Sequence, residues 1–190
     1  MKPWSIVIVA FLMSCHPRDQ GQAPKSGPGP EDNEGRPGLS FTNWSPQTEL
    51  FMELRALVRG SESPCAAHVT QLVNFAPLAK GQVTVILRRG QVEERFADDR
   101  PSVPGIFRPV ARPSTVGPHR LLVEIQGERL SVVHDLGDIT VYETAKAAAQ
   151  AIPAELAPAG RIPFLKEQQW PIEFGTMEVT ERALRPSIRA

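Results

Sequence analysis

Motifs that carry chemistry are what this sequence lacks. It has no nucleophile elbow, phosphate loop, dinucleotide-binding glycine fingerprint, paired-cysteine metal site or zinc-protease helix. Its four histidines, His16, His68, His119 and His134, are far apart, and none has a neighbour at ligand spacing. An enzyme is therefore not expected. Cysteine is equally scarce, with Cys15 and Cys65 the whole complement. If Cys15 is otherwise engaged, Cys65 has no intramolecular partner and a disulfide framework is excluded. An excess of one charge is missing too. Twenty-one Lys and Arg balance 21 Asp and Glu without a basic block, which argues against nucleic acid and against a polybasic membrane contact.

What is present begins with a secretory signal. Lys2 supplies a positive start, and Trp4 to Met13 form an apolar run broken only by Ser5. That run is too short to span a bilayer, which needs about 20 apolar residues. It ends in Leu12-Met13-Ser14-Cys15, which resembles a lipobox, where acylated Cys15 becomes the mature N-terminus. The alternative is an ordinary secretory signal that happens to precede a cysteine. Stable anchoring takes two or more acyl chains, so a multiply acylated Cys15 would hold the protein on its membrane. Loss of residues 1–14 removes Lys2 alone among the charges, leaving 20 basic and 21 acidic residues.

From His16 to Gly38 ten of 23 residues are Gly or Pro, and the only aliphatic side chain is Ala23. Such a stretch cannot bury enough apolar surface to offset its ordering entropy, so residues 15–38 read as a flexible tether. Over 39–143 the apolar period becomes two. Leu50, Met52, Leu54, Ala56 and Val58 alternate with polar residues such as Glu49, Glu53 and Arg55. Val83, Val85 and Leu87 repeat this before a turn at Arg89-Gly90, and Leu121, Val123 and Ile125 repeat it before Gly127. With Phe41 to Trp44, Ala67 to Leu72, Val92 to Phe96, Ile106 to Val110, Leu130 to Val133, and Ile139 with Val141, the pattern predicts a mainly β fold: an immunoglobulin-like antiparallel sandwich.

After Tyr142 a short helix is predicted over Thr144 to Ile152, capped by Thr144 and stopped by Pro153, within a helix-and-linker segment at 144–160. Residues 161–190 contain a helix candidate at Lys166 to Trp170 and two strand-like runs, Thr176 to Val179 and Ala183 to Ile188. So few apolar positions cannot make a domain alone. The segment either packs on the sandwich or opens a barrel-like β segment that stays incomplete. Candidate site residues are few. His68 and Met52 sit on predicted strands, and imidazole with thioether suits a Cu or Ag ion. The other reading makes His68 a hydrogen-bonded or exposed histidine and Met52 core filling. Cys65 reads as a small buried hydrophobe or as a reactive or metal-binding thiol. Asp135, Asp138 and the loop Ala97-Asp98-Asp99-Arg100 read as solvated turn residues.

Several segments occur in a familiar order: Phe41-Thr42-Asn43-Trp44, Thr48 to Leu54, Ala67 to Leu72, Pro77 to Val85, Pro104 to Val110, and His134-Asp135-Leu136-Gly137. The most specific is Ile162-Pro163-Phe164-Leu165-Lys166-Glu167-Gln168-Gln169-Trp170-Pro171-Ile172-Glu173-Phe174. Together, over roughly 39–189, they resemble the N-terminal part of periplasmic adaptor subunits, or membrane fusion proteins, of RND-type efflux pumps in the heavy-metal branch. The resemblance implies a periplasmic bridging part with no active site. Its partners would be an RND inner-membrane pump and an outer-membrane channel. A full adaptor would continue past Ala190 into a lipoyl-like domain, an α-helical hairpin and the rest of a barrel, so a truncated adaptor or a fragment is expected. The metal-binding leader segments of some relatives are absent, and no ligand set carries over. The alternative is a free-standing periplasmic lipoprotein module that captures a metal ion or a protein. His16 after Cys15 leans toward the outer membrane, whereas adaptors work from the inner one, so the anchoring membrane stays open.

Overall fold

The computed structural model describes residues 35–153, 164–173 and 180–181. Cys15, most of the tether and both strand-like runs after Phe174 lie outside the described residues. In chain order the elements are β1 (Gly38–Trp44), β2 (Thr48–Arg55), β3 (Ser63–Gln71), β4 (Ala76–Pro77), β5 (Gln82–Arg89), β6 (Val92–Asp98), β7 (Ile106–Phe107), β8 (Val110–Ala111), β9 (Gly117–Gly127), β10 (Leu130–Val141), α1 (Ala145–Ala151) and α2 (Lys166–Gln169).

Two antiparallel sheets enclose one core. In the first, β1, β2 and β3 form a meander, and the second edge of β3 is shared end to end by β8, β7 and β4. The second sheet has the order β10-β9-β5-β6. With β2, β3 and the β7–β8 pair as strands A, B and E, and β5, β6, β9 and β10 as C, C′, F and G, this is the immunoglobulin-like arrangement. β1 is added outside strand A.

Period-two alternation explains why these residues pair in this way. Each inward position is apolar: Leu50, Met52 and Leu54 on β2, Cys65, Ala67 and Val69 on β3, Val83, Val85 and Leu87 on β5, and Leu121, Val123 and Ile125 on β9. Burying a Val, Leu or Ile completely is worth about 1.5–3 kcal/mol, so a one-residue slip that turned this set outward is strongly disfavoured. Gly90, at φ +61°, supplies the positive φ for the two-residue turn between β5 and β6.

Four local expectations change. The run Ile106 to Val110 is two short strands, because Pro109 between them has no N–H to donate. Leu130 to Val133 and Ile139 to Val141 belong to one strand, bent by a bulge between Asp135 and Gly137, where Gly137 has φ +93°. β2 ends at Arg55, so the expected alternation stops before Ala56 and Val58, and Ala56, Leu57 and Val58 are all buried. Arg36, assigned by composition to the tether, is buried against the sandwich, where its guanidinium donates to Ala56 O, to Ser63 Oγ at 2.8 Å and to Glu62 O at 2.7 Å. α1 forms as expected, with Thr144 Oγ1 accepting from Ala147 N at 3.1 Å.

Candidate functional site on the outer face of the first sheet

Register decides which side chains meet. β2 and β3 pair Phe51 with His68 and Met52 with Ala67. Because side chains alternate across a strand, Met52 points into the core and His68 to the opposite, outer face. The suggested pair of a thioether and an imidazole around one Cu or Ag ion is therefore not assembled, and Met52 is fully buried core. Among the described residues no group of three or more His, Cys, Asp or Glu converges as a metal site.

The outer face is nevertheless occupied. The short helix α2 and Trp170 lie across it. Lys166 Nζ donates to Glu49 Oε1 at 2.5 Å and to Gln169 Oε1 at 3.3 Å. Trp170 Nε1 donates to Thr70 Oγ1 at 2.9 Å, and Glu167 Oε1 lies 3.5 Å from His68 Nδ1. The His68 ring is flanked by Phe51 at 5.4 Å and by Trp170 at 6.3 Å between ring centres. The indole passes so close to Gly105 that a Cβ there would stand 2.5 Å from Trp170 Cη2 and 2.5 Å from Pro77 Cβ. Gly105 also has φ +86°, so both its backbone and its lack of a side chain suit this crossing. At the start of α2, Gln168 Oε1 accepts from Leu165 N at 2.8 Å.

Burial lowers the pKa of His68 below the usual imidazole value, although the Glu167 and Glu53 carboxylates push it up. Arg108 and Lys166 reinforce the lowering. The ring is thus held largely neutral near pH 7. Cys65, on the inner side of the same strand, is pushed up to about 12 by burial. With so little thiolate it is an apolar filler rather than a nucleophile.

Beside Trp170 runs a groove of about 730 Å³ bordered by Trp44, Phe75, Lys166 and Ile172. Trp44, Phe75 and Ile172 are each more than half exposed, so this end of the sandwich has an apolar rim. Two polar constellations went unread in the sequence. His134 is buried between the sheets, with Nδ1 2.8 Å from Asn43 Oδ1 and Nε2 2.8 Å from Thr48 Oγ1. Asn43 Oδ1 can only accept, which makes Nδ1 the protonated nitrogen and Nε2 an acceptor from Thr48. Asp135 and Asp138, read as solvated turn residues, lie on β10 and stay at least half exposed, and both are bound by Arg120.

Comparison with protein-family models, curated proteins and solved structures returns no match. Among the described residues no helix is long and apolar enough to cross a membrane.

Proposed function

We propose that this chain is a periplasmic adaptor component, or the N-terminal part of one, of an RND-type efflux system that exports heavy-metal cations. Lipid on Cys15 tethers it to a membrane, and it bridges an inner-membrane pump and an outer-membrane channel without a reaction of its own. One observation carries this reading. The run Phe164 to Trp170, the most specific part of the adaptor resemblance, is seated on the sandwich through Lys166–Glu49 and Trp170–Thr70. A bridging subunit needs that kind of seat, because the segment leading away from a domain transmits position only if it is fixed to it. Cross-linking of the full chain in cells tests the proposal. Capture of an RND pump and an outer-membrane channel, with reduced metal tolerance in a deletion strain, is expected. Unchanged tolerance with neither partner captured refutes it.

A second reading, a free-standing periplasmic lipoprotein module that captures a metal ion or a protein, is favoured by the open groove between Trp44 and Ile172. Limited proteolysis separates the two. A chain cut within 153–164 that loses pump and channel capture while its sandwich stays folded favours the adaptor, and a chain that keeps its metal or protein ligand after the cut favours the module.

A further inference from the structure

Sheet edges expose unpaired N–H and C=O groups, and natural folds blunt them with charge, proline, bulges or covering segments. Among the described residues this sandwich blunts three of its four. β6 carries Glu93, Glu94 and Arg95 at its centre. β10 is bent by the bulge at Asp135 and carries two carboxylates held by Arg120. The far edge of β3 is covered by β4, β7 and β8. β1, Gly-Leu-Ser-Phe-Thr-Asn-Trp, has no charge and no proline, and among the described residues it pairs only with β2.

We propose that β1 is a self-association edge, pairing antiparallel with β1 of a second copy about a two-fold axis at Phe41. A second copy is favoured over head-to-tail growth because the other edges are blocked, so only an isologous contact that closes after two copies remains. The seven-residue strand is self-complementary in that register. On the inner face Phe41 meets Phe41 of the second copy, an aromatic pair, and Leu39 meets Asn43. On the outer face Ser40 meets Thr42, two hydroxyl side chains suited to a cross-strand pair. Trp44 meets Gly38. Trp44 is 62% exposed with no cover of its own, while Gly38 sits in a groove of about 660 Å³ bordered by Pro37, Ser40, Arg55 and Pro153. The indole of one copy would fill the groove over Gly38 of the other, with the Arg55 guanidinium close enough for a cation–π contact.

Sedimentation of the full chain in detergent provides the test, with two exposed-face variants. The wild type should form a dimer. Thr42→Lys, which sets a cation in the pairing edge, should weaken it about tenfold. Trp44→Ala should weaken it about thirtyfold, as loss of a buried tryptophan anchor does. Circular dichroism of both variants should match the wild type, which separates lost pairing from lost folding. As a second measurement, mixed Ser40→Cys and Thr42→Cys chains oxidised with copper phenanthroline should yield more disulfide-linked dimer than either chain alone, since directly opposed residues are within disulfide reach. A monomer at every concentration, a dimer indifferent to both substitutions, or no excess cross-link in the mixture overturns the proposal.

Discussion

Acid should weaken this fold in a window that belongs to histidine. His134 and His68 are buried, and burial lowers both pKa values from 6.5. In the unfolded chain both return to about 6.5. Below that pH the unfolded state binds more protons than the folded one, so stability is complete above about 6.5 and falls as pH drops toward the folded pKa values. Each histidine contributes a slope of at most about 1.4 kcal/mol per pH unit within its window, and the two together at most about 2.7 kcal/mol per pH unit. Tm should therefore fall as the pH is lowered through 6.5, by about 4 °C for each kcal/mol lost in a domain of this size. The carboxylates do not confuse the window. Hydrogen bonds from Arg120 to Asp135, from Arg88 and Arg95 to Glu93, and from Gln126 and then Arg95 to Glu124 lower the pKa values of these carboxylates, so their contributions are present above the usual carboxylate pKa of about 4 and are lost below it. Thermal melts from pH 7.5 to 5 on wild type, His134→Gln and His68→Gln supply the assay. Each substitution should remove about half of the slope, and His134→Gln should also lower Tm at pH 7.5, because it disturbs the contacts to Asn43 and Thr48. A melting temperature flat between pH 7 and 5, or a slope untouched by both substitutions, refutes the assignment.

Val85→Asp buries an unpaired carboxylate at a fully enclosed position and should cost about 3–5 kcal/mol, measured by urea unfolding. Gly105→Ala places a methyl group against Trp170 and Pro77 at a positive φ; it should loosen 164–173 and speed proteolysis within 153–164, with the sandwich still folded by circular dichroism. Since Met52 and His68 face opposite sides of their sheet, any Cu(I) or Ag(I) heat seen in calorimetry should survive Met52→Leu, and its loss in that variant would restore the paired site. Cys15→Ala should yield an unprocessed precursor or a soluble periplasmic species, and unchanged partitioning into detergent would remove the lipid anchor.

The sandwich was legible because its signal is local: Leu50, Met52 and Leu54, or Val83, Val85 and Leu87, state their face in five residues. The metal pair failed because register is not local. Whether Met52 and His68 share a face depends on β2 pairing Phe51, rather than Met52, with His68, and a shift of one residue reverses the answer. β3 gives little help, since His68 and Thr70 on its outer side are as buried as Ala67 and Val69 on its inner side. That outer burial comes from Trp170, 100 residues away from Thr70 along the chain. His134 shows the same limit, with partners 91 and 86 residues distant. Arg36 was hidden for another reason: its neighbours are Gly and Pro, and composition read the segment as tether although one guanidinium is enough to pin it.

These long-range polar contacts share a position in the fold. Arg36 fixes the entry into β1, His134 ties β10 to β1 and β2, and Lys166 with Trp170 fixes the C-terminal segment to β2 and β3. Between them the core is almost wholly apolar. Apolar burial is non-directional, so it stabilises the sandwich without selecting how a further segment approaches. Buried hydrogen bonds are directional, and leaving one unmade costs about 1–3 kcal/mol, so each joint accepts one geometry and penalises its neighbours. A subunit proposed to bridge two membrane complexes needs this division, with a rigid apolar body and polar joints that fix where chain segments leave it. The seat of α2 is the least buried of the three. Gly105→Ala, which acts on that seat and leaves the core intact, is therefore the substitution that best separates a bridge from a free-standing sandwich: an adaptor should lose metal tolerance with its fold preserved, and a free-standing module should not.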